Sequence, residues 1–456
     1  MRAKKTDLQG DYLHMSDTLP GAPGVAAATT APKPVSNIYR LYVMVMLFLV
    51  YAFNFLDRQI ISILAIPIRE ELGLDDRQLG LLGGIAFALL YSVLGVPIAW
   101  LADRTNRVWI ITISLGIWSG FTALCGMAQN FWQLFAARVG VGVGEAGGVA
   151  PSYSLIADYF PPQARARALA FYSLGIPLGS AFGVIAGAQI ASGNVGEGLD
   201  WRWAFIIVGL AGVVLAPIFR LTVREPARGQ LDTVKLDAKA AKPSFFAVIR
   251  VLLKKPAFWF LTFGATCSSM MGYGVFFWVP SFLARSYGLD LVTTGWMFGG
   301  LLIIGGSAGI ILGGFISDWV GKKSKSWYAL VPGVAFLFTM PFYAVGVLAP
   351  NATIAFFVFI IPNALALAWL GPVLSAFQNL VPASMRTVAS SIFLLINNLL
   401  GIGVGIYVLG ELSTLLAPTF GDESLRYSIL IGSCLYLMAA GFMFLAARWL
   451  PRNWEG

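Results

Sequence analysis

Ala99-Trp100-Leu101-Ala102-Asp103-Arg104-Thr105-Asn106-Arg107, with its echo Gly314-Phe315-Ile316-Ser317-Asp318-Trp319-Val320-Gly321-Lys322-Lys323, decides how this chain is organised. In each, a small residue is followed four positions on by aspartate and then by a basic cluster, and the two aspartates lie 215 residues apart. A polar loop repeated at about half the chain's length is the trace of two similar halves. On either side of both loops the sequence is apolar, at lengths near the roughly 20 residues with which a helix crosses about 30 Å of hydrocarbon. Six such stretches, 40–68, 78–101, 108–128, 131–157, 166–191 and 201–223, precede a polar linker. Six more follow it, at 256–284, 292–316, 327–348, 352–380, 386–412 and 425–448. The expected architecture is an all-α membrane protein with twelve transmembrane helices in two pseudo-symmetric six-helix bundles. Its expected parts are a disordered tail 1–36, a first bundle 37–223, a linker 224–255, a second bundle 256–450 and a short tail 451–456.

Composition limits the function classes. Hydrophobic residues fill 58% of the 456 positions and charged ones 12%, against roughly 25% charged in a soluble domain. That is too few to coat soluble domains of this total length, so lipid has to solvate the outside. The net charge is +9, but the basic residues fall in short loops rather than on one face, and no nucleic-acid partner is expected. Arg104, Arg107, Arg165, Arg167, Lys322, Lys323, Lys325 and Arg386 all lie in alternate loops, and the linker adds Arg224, Arg228, Lys235, Lys239, Lys242, Arg250, Lys254 and Lys255. The opposite loops carry acid, at Glu70, Glu71, Asp75, Asp76, Asp422 and Glu423. The positive-inside bias therefore puts both termini in the cytoplasm. In the linker, Ser244–Lys255 reads either as an amphipathic helix at the inner surface or as the start of the seventh span. Cys125, Cys267 and Cys434 are isolated, and His14, in the leader, is the only histidine. No metal or cofactor is expected, and proton chemistry within the membrane falls to carboxylates.

Charges inside apolar spans carry the most information, because they are costly there and need partners in the bundle interior. The first span holds Tyr51, Asn54, Asp57 and Arg58, and the fourth holds Arg138 and Glu145. Adjacent Asp57 and Arg58 diverge by about 100° on a helix, so neither is the other's main partner. Asn54 shares a face with Arg58, and Arg138 and Glu145 share one two turns apart. A network across the first and fourth helices is expected. Two readings stay open: a carboxylate that gains and loses a proton as an arginine moves, or permanent buried ion pairs. The corresponding region of the second half, near Gly272 and Tyr273, has no charge, so the halves are unequal. Gly175, Gly179, Gly183 and Gly187, with Pro177, form a bare stripe that suits close helix packing. Tyr273, Trp278, Asn363, Trp369, Asn397 and Asn398 are candidates for a cavity wall, or for interfacial anchors and interhelical hydrogen bonds.

The repeated loop resembles the G-x-L-A-D-R-x-G-R signature of the major facilitator superfamily, with Ala99 and Asn106 in place of the two glycines. The resemblance extends over about 400 residues through the six-plus-six layout. It sharpens in the first half, where Asn54-Phe-Leu-Asp57-Arg58 is similar to Spinster-type members. Arg138 to Glu145, Ala150-Pro151-Ser152, Asp158, Phe171 to Ser180 and Asp200-Trp-Arg-Trp203 are similar to them too. The resemblance implies the major facilitator fold, a bacterial inner membrane as the location, alternating access and an amphipathic cargo such as a lysophospholipid, a sphingosine-1-phosphate-like lipid or a drug. It also implies a latch at Asp103, Arg104, Arg107 and Asp318; the alternative is a loop whose charges only enforce topology.

Together these readings give a proton-coupled secondary transporter of an amphipathic small molecule, with protons and membrane lipids as its other partners. Asp57, Arg58, Arg138 and Glu145 are the coupling candidates, and an uncoupled facilitator or flippase of the same fold is the alternative. A membrane enzyme is disfavoured for want of a nucleophile–base pair, and a channel for want of a ring-forming filter repeat.

Overall fold

The computed structural model describes residues 36–229, 231, 245–321, 323–382 and 385–455, and among these the ordered elements are helices. The tail 1–35 and most of the linker, with Lys235, Lys239 and Lys242, lie outside the described residues.

Among the described residues, twelve helices cross the molecule, several of them in two pieces. The first is Asn37–Ile63, broken at Leu64 and continued as Ala65–Leu72. The second runs from Asp76 to Ala102, with a π-helical segment at Leu81–Ile85. The third is Arg107–Cys125. The fourth is Phe131–Glu145 followed by Val149–Tyr159, the fifth Pro162–Ser173 followed by Gly175–Ala191, and the sixth Trp201–Thr222. In the second half come Pro256–Tyr287, then Leu291–Gly321 with a π segment at Leu302–Gly306, then Trp327–Val347. The tenth is Ala352–Leu367 with Leu370–Asn379, and the eleventh Arg386–Phe420 with a π segment at Leu399–Val404. The twelfth is Ser424–Gly432 with Leu435–Asn453. By length and composition, ten stretches suffice to cross a membrane. The last of them, Val388–Asn453, contains both the eleventh and twelfth helices. The fourth is missing from that count because its break at 146–148 leaves pieces of 15 and 11 residues.

Polar caps set where these apolar helices begin. Asn106, Asn130, Asp200 and Asn351 each accept a backbone N–H from the first turn, satisfying donors that the helix leaves free. The start of the second helix has a capping box in which Asp75 and Gln78 bond reciprocally. Gly73, at φ 64°, and Gly288, at φ 65°, end the first and seventh helices in the left-handed region that glycine adopts without strain. These two glycines are 215 residues apart, as are the N-caps Asp75 and Asp290 of the following helices. The two-half repeat therefore extends into the turn geometry. Phe245–Leu253 is a helix of its own, separated from the seventh by Lys254 and Lys255.

Within the first half, helices 1 and 5, 3 and 6, 3 and 4, and 2 and 4 pack together; in the second, 7 packs on 12 and 11, and 9 on 10 and 12. The outer surface is apolar, with Leu221, Phe315, Trp319 and Phe357 at 84%, 76%, 64% and 64% exposure. Water does not tolerate so much bare apolar surface, whereas lipid does. The halves meet through helices 5 and 8, 2 and 11, and 1 and 7. A set of hydrogen bonds and ion pairs joins the halves toward the end of the bundle away from the chain termini. There Arg285 grips Asp76 with two bonds of 2.7 Å, Ser413 Oγ donates to Asp76 at 2.7 Å, and Arg77 forks onto Glu411 at 2.5 and 2.6 Å. Gln59 Nε2 reaches the Phe276 carbonyl at 2.5 Å. Beside this seal, hydrogen bonds from Arg202 first, and then from Trp201, hold the Glu71 carboxyl below its ordinary value.

Candidate functional site

The charges of the first and fourth helices converge. Arg58 Nε donates to Glu145 Oε2 at 2.6 Å, and the Glu145 side chain is fully buried. Three rings surround the guanidinium, Tyr91 at 4.5 Å, Phe87 at 4.6 Å and Phe55 at 5.0 Å from its carbon, and desolvation strengthens such contacts. Asn54 is buried facing Glu145 without completing a hydrogen bond. Asp57, about 100° around the helix, turns instead to Trp118 and Thr122 of the third helix. It is fully buried, and neither carboxyl oxygen receives a hydrogen bond. Arg138 lies near both acids, but its donors reach backbone carbonyls, Leu82 at 3.4 Å and Asp57 at 3.5 Å. The structure brings these four groups near one another, and which acid is bonded to an arginine is visible only in three dimensions.

The break in the fourth helix falls next to Glu145, where glycines let the helix press onto the third. A Cβ on Gly144 would stand 2.4 Å from the Trp118 nitrogen, and one on Gly147 2.1 Å from Ser114 Oγ. Beyond the break a cluster of tyrosines opens. Tyr51 stacks on Tyr172 at 4.1 Å, Tyr153 meets Tyr172 edge-on at 5.5 Å, and Tyr273 of the seventh helix faces Arg58. Tyr153 keeps 43% of its surface exposed.

The other cavity candidates divide. Trp278 is not a wall residue: it is fully buried, and its Nε1 donates to the Ile406 carbonyl at 2.9 Å, joining the seventh helix to the eleventh. Asn363 donates at 3.0 Å to the Leu301 carbonyl that adjoins the π segment of the eighth helix, and it also lines a small internal cavity with Val275, Phe276 and Phe298. Asn397 accepts from Ser269 at 2.9 Å, and Trp369 packs edge-on against Phe393 at 6.4 Å. These four hold the second bundle together. Tyr51, Asn54 and Tyr273 remain with the charged cluster.

The latch differs from its expected form. Asp103 caps the end of the second helix, exposed and, among the described residues, without an ion pair. Arg104 lies over Trp100 at 3.9 Å instead. Arg107 is buried and bonds Asp158 at 2.5 Å, Glu225 at 2.6 Å and Ser154 at 2.7 Å. The loop arginine thus finds its acids at the ends of helices 4 and 6, which sequence spacing did not connect to it. Asp318 lies within the eighth helix, and its side chain is outside what is described.

Residues 47–406 match the family profile described as Major Facilitator Superfamily. The chain belongs to that superfamily. An MFS-type efflux pump of Mycolicibacterium smegmatis is 30% identical over 400 residues, covering 88% of this chain and 90% of the pump. Protein spinster homolog 1 of Xenopus tropicalis is 28% identical over 441 residues, 92% of this chain and 82% of its own. Among solved structures, a bacterial homologue of the human lysosomal transporter Spinster, inward-facing and unoccupied, matches at 33% identity. Its TM-score is 0.82, over 92% of this chain and all of that one. This superfamily member is thus of the Spinster type, a membrane transporter and not an enzyme.

For such a transporter, several residues that matter were overlooked in the sequence. Asp76, Arg285 and Glu411 sit near span ends, where charges are ordinarily topological. Tyr91, Tyr153 and Tyr172 read as unremarkable aromatics. The repeated Gly-Leu-Asp at 73–75 and 288–290 was a usable signal for the turns.

Proposed function

We propose that this protein is a proton-coupled secondary transporter that moves an amphipathic small molecule by alternating access. The observation that supports coupling most directly is the contrast between the two buried acids. Glu145 has a bonded arginine, whereas neither Asp57 carboxyl oxygen is bonded to a cation. A buried charge needs a partner. Asp57 is therefore the group for which taking up a proton displaces no ion pair, and Arg138, held by long bonds to carbonyls and a contact with the Phe87 ring, can approach it when the bundle rearranges. Arg58, ringed by aromatic side chains beside the tyrosine cluster, suits a cargo with an anionic head and an apolar body. Lysophospholipids and sphingosine-1-phosphate-like lipids have that chemistry, as do amphipathic drugs. The two bundles, 37–223 and 256–450, act as the moving bodies, with Arg107, Asp158 and Glu225 organising the terminal end of the first. Asp103, Arg104 and Asp318 are the proposed gate at that end. The loop charges support cytoplasmic termini in a bacterial inner membrane.

The test is uptake of labelled lysolipid and of sphingosine-1-phosphate into proteoliposomes, with and without a pH gradient. Asp57→Asn and Glu145→Gln are to be compared with the wild type. Coupled transport predicts gradient-driven movement that Asp57→Asn abolishes while the protein stays folded. Movement indifferent to the gradient and to both variants means an uncoupled facilitator, the second reading, with the four charges as scaffold.

A further inference from the structure

We propose that the terminal end of the second bundle carries a binding site for the headgroup of an anionic phospholipid, separate from the transport site. An open cleft of about 360 Å³ lies there, between the end of the surface helix and the end of the twelfth, lined by Val251, Lys254, Lys255, Arg452, Trp454 and Glu455 among others. Among the described residues that line it, Glu455 is the one acid, and it is taken by Lys255, which also donates to the Leu380 carbonyl. Lys254 and Arg452 are exposed and, among the described residues, have no ion pair. Each has a like charge one turn before it, Arg250 and Arg448. Like charges at that spacing repel, so the arrangement carries a cost that an anion in the cleft would remove. The indole N–H of Trp454 has no acceptor, and the Lys325 ammonium lies 4.8 Å over that ring.

The surroundings favour a lipid over a soluble anion. The seventh helix, of 32 residues, is about 48 Å long, against a hydrocarbon core of about 30 Å. Its ends therefore project into the headgroup layer, and the cleft lies at one of them. Leu445, Trp449 and Arg452 share one face of the twelfth helix, and Leu445 is 44% exposed. Leu253, beside Lys254, is 65% exposed. An acyl chain lying along Leu445 and Trp449 would bring its phosphodiester to Arg452 and Lys254. A lipid so held would tie the surface helix to the second bundle at the point where the linker enters it.

Native mass spectrometry of the full chain in detergent, with equimolar phosphatidylglycerol and phosphatidylcholine added, tests this. The wild type should retain phosphatidylglycerol in preference. Lys254→Gln combined with Arg452→Gln should lose that preference by roughly tenfold or more. Lys254→Arg with Arg452→Lys should keep it, which separates a charge effect from damage to the fold. Added inorganic phosphate should leave the lipid bound. Equal retention of the two lipids, an unchanged glutamine variant, or displacement by phosphate would each overturn the proposal.

Discussion

Arg58 and Glu145 show how one residue's surroundings decide its role. Breaking a buried pair leaves a charge with no partner, which costs about 3–5 kcal/mol, whereas removing both charges costs far less. Arg58→Gln should therefore lower thermal stability sharply, and adding Glu145→Gln should recover much of the loss. A double-mutant cycle in which the two effects simply add would show that the 2.6 Å contact contributes no coupling. The four charges could be singled out in the sequence because ionised groups in apolar spans need partners. That Asp57 lacks a bonded cation could not, since it depends on the third helix presenting Trp118 and Thr122 instead.

At the scale of the helix, the glycine stripe of the fifth span packs on the first. A Cβ on Gly179 would lie 2.2 Å from the Ala52 carbonyl, and one on Gly183 2.7 Å from that of Leu56. The stripe thus seats the backbone of the helix that carries Asp57 and Arg58. Gly179→Ala should cost about 1–3 kcal/mol through overpacking. Gly95→Ala, with open space at its Cβ, should cost nothing comparable, as thermal unfolding of the two variants in detergent would show. Equal melting temperatures would mean that helices 1 and 5 tolerate separation. The stripe was legible because four residues is close to one helical turn. Its partner helix was not, because periodicity names a face and not what covers it. The π segments at Leu81–Ile85, Leu302–Gly306 and Leu399–Val404 escaped sequence reading as well. They lie where helices 2, 8 and 11 meet the opposite half, and such bulges often accompany function.

Across the whole molecule, the far-end seal holds the halves in one relation. Asp76–Arg285 and Arg77–Glu411 are its ion pairs, and the first is nearly buried, so it contributes more than the exposed second. Arg285→Gln should loosen that end. Spin labels at Ser192→Cys and Val292→Cys, at the far ends of helices 5 and 8 and with the exposed Cys434 replaced, should report a longer and broader distance distribution than in the parent. An unchanged distribution would mean that apolar packing between helices 5 and 8 closes the end without the ion pair.

The sequence by itself determined the twelve helices, their division into two halves and the residues that had to face inward. Hydrophobic length, loop charge and the energetic cost of buried charge are properties that each segment carries wherever it ends up. The tertiary structure decided the partnerships: Arg58 with Glu145, Arg107 with Asp158 and Glu225, Arg285 with Asp76, and Trp278 with a backbone carbonyl rather than a cavity. Each joins helices far apart in the chain, so its geometry depends on helix order, tilt and rotation, which no local pattern encodes.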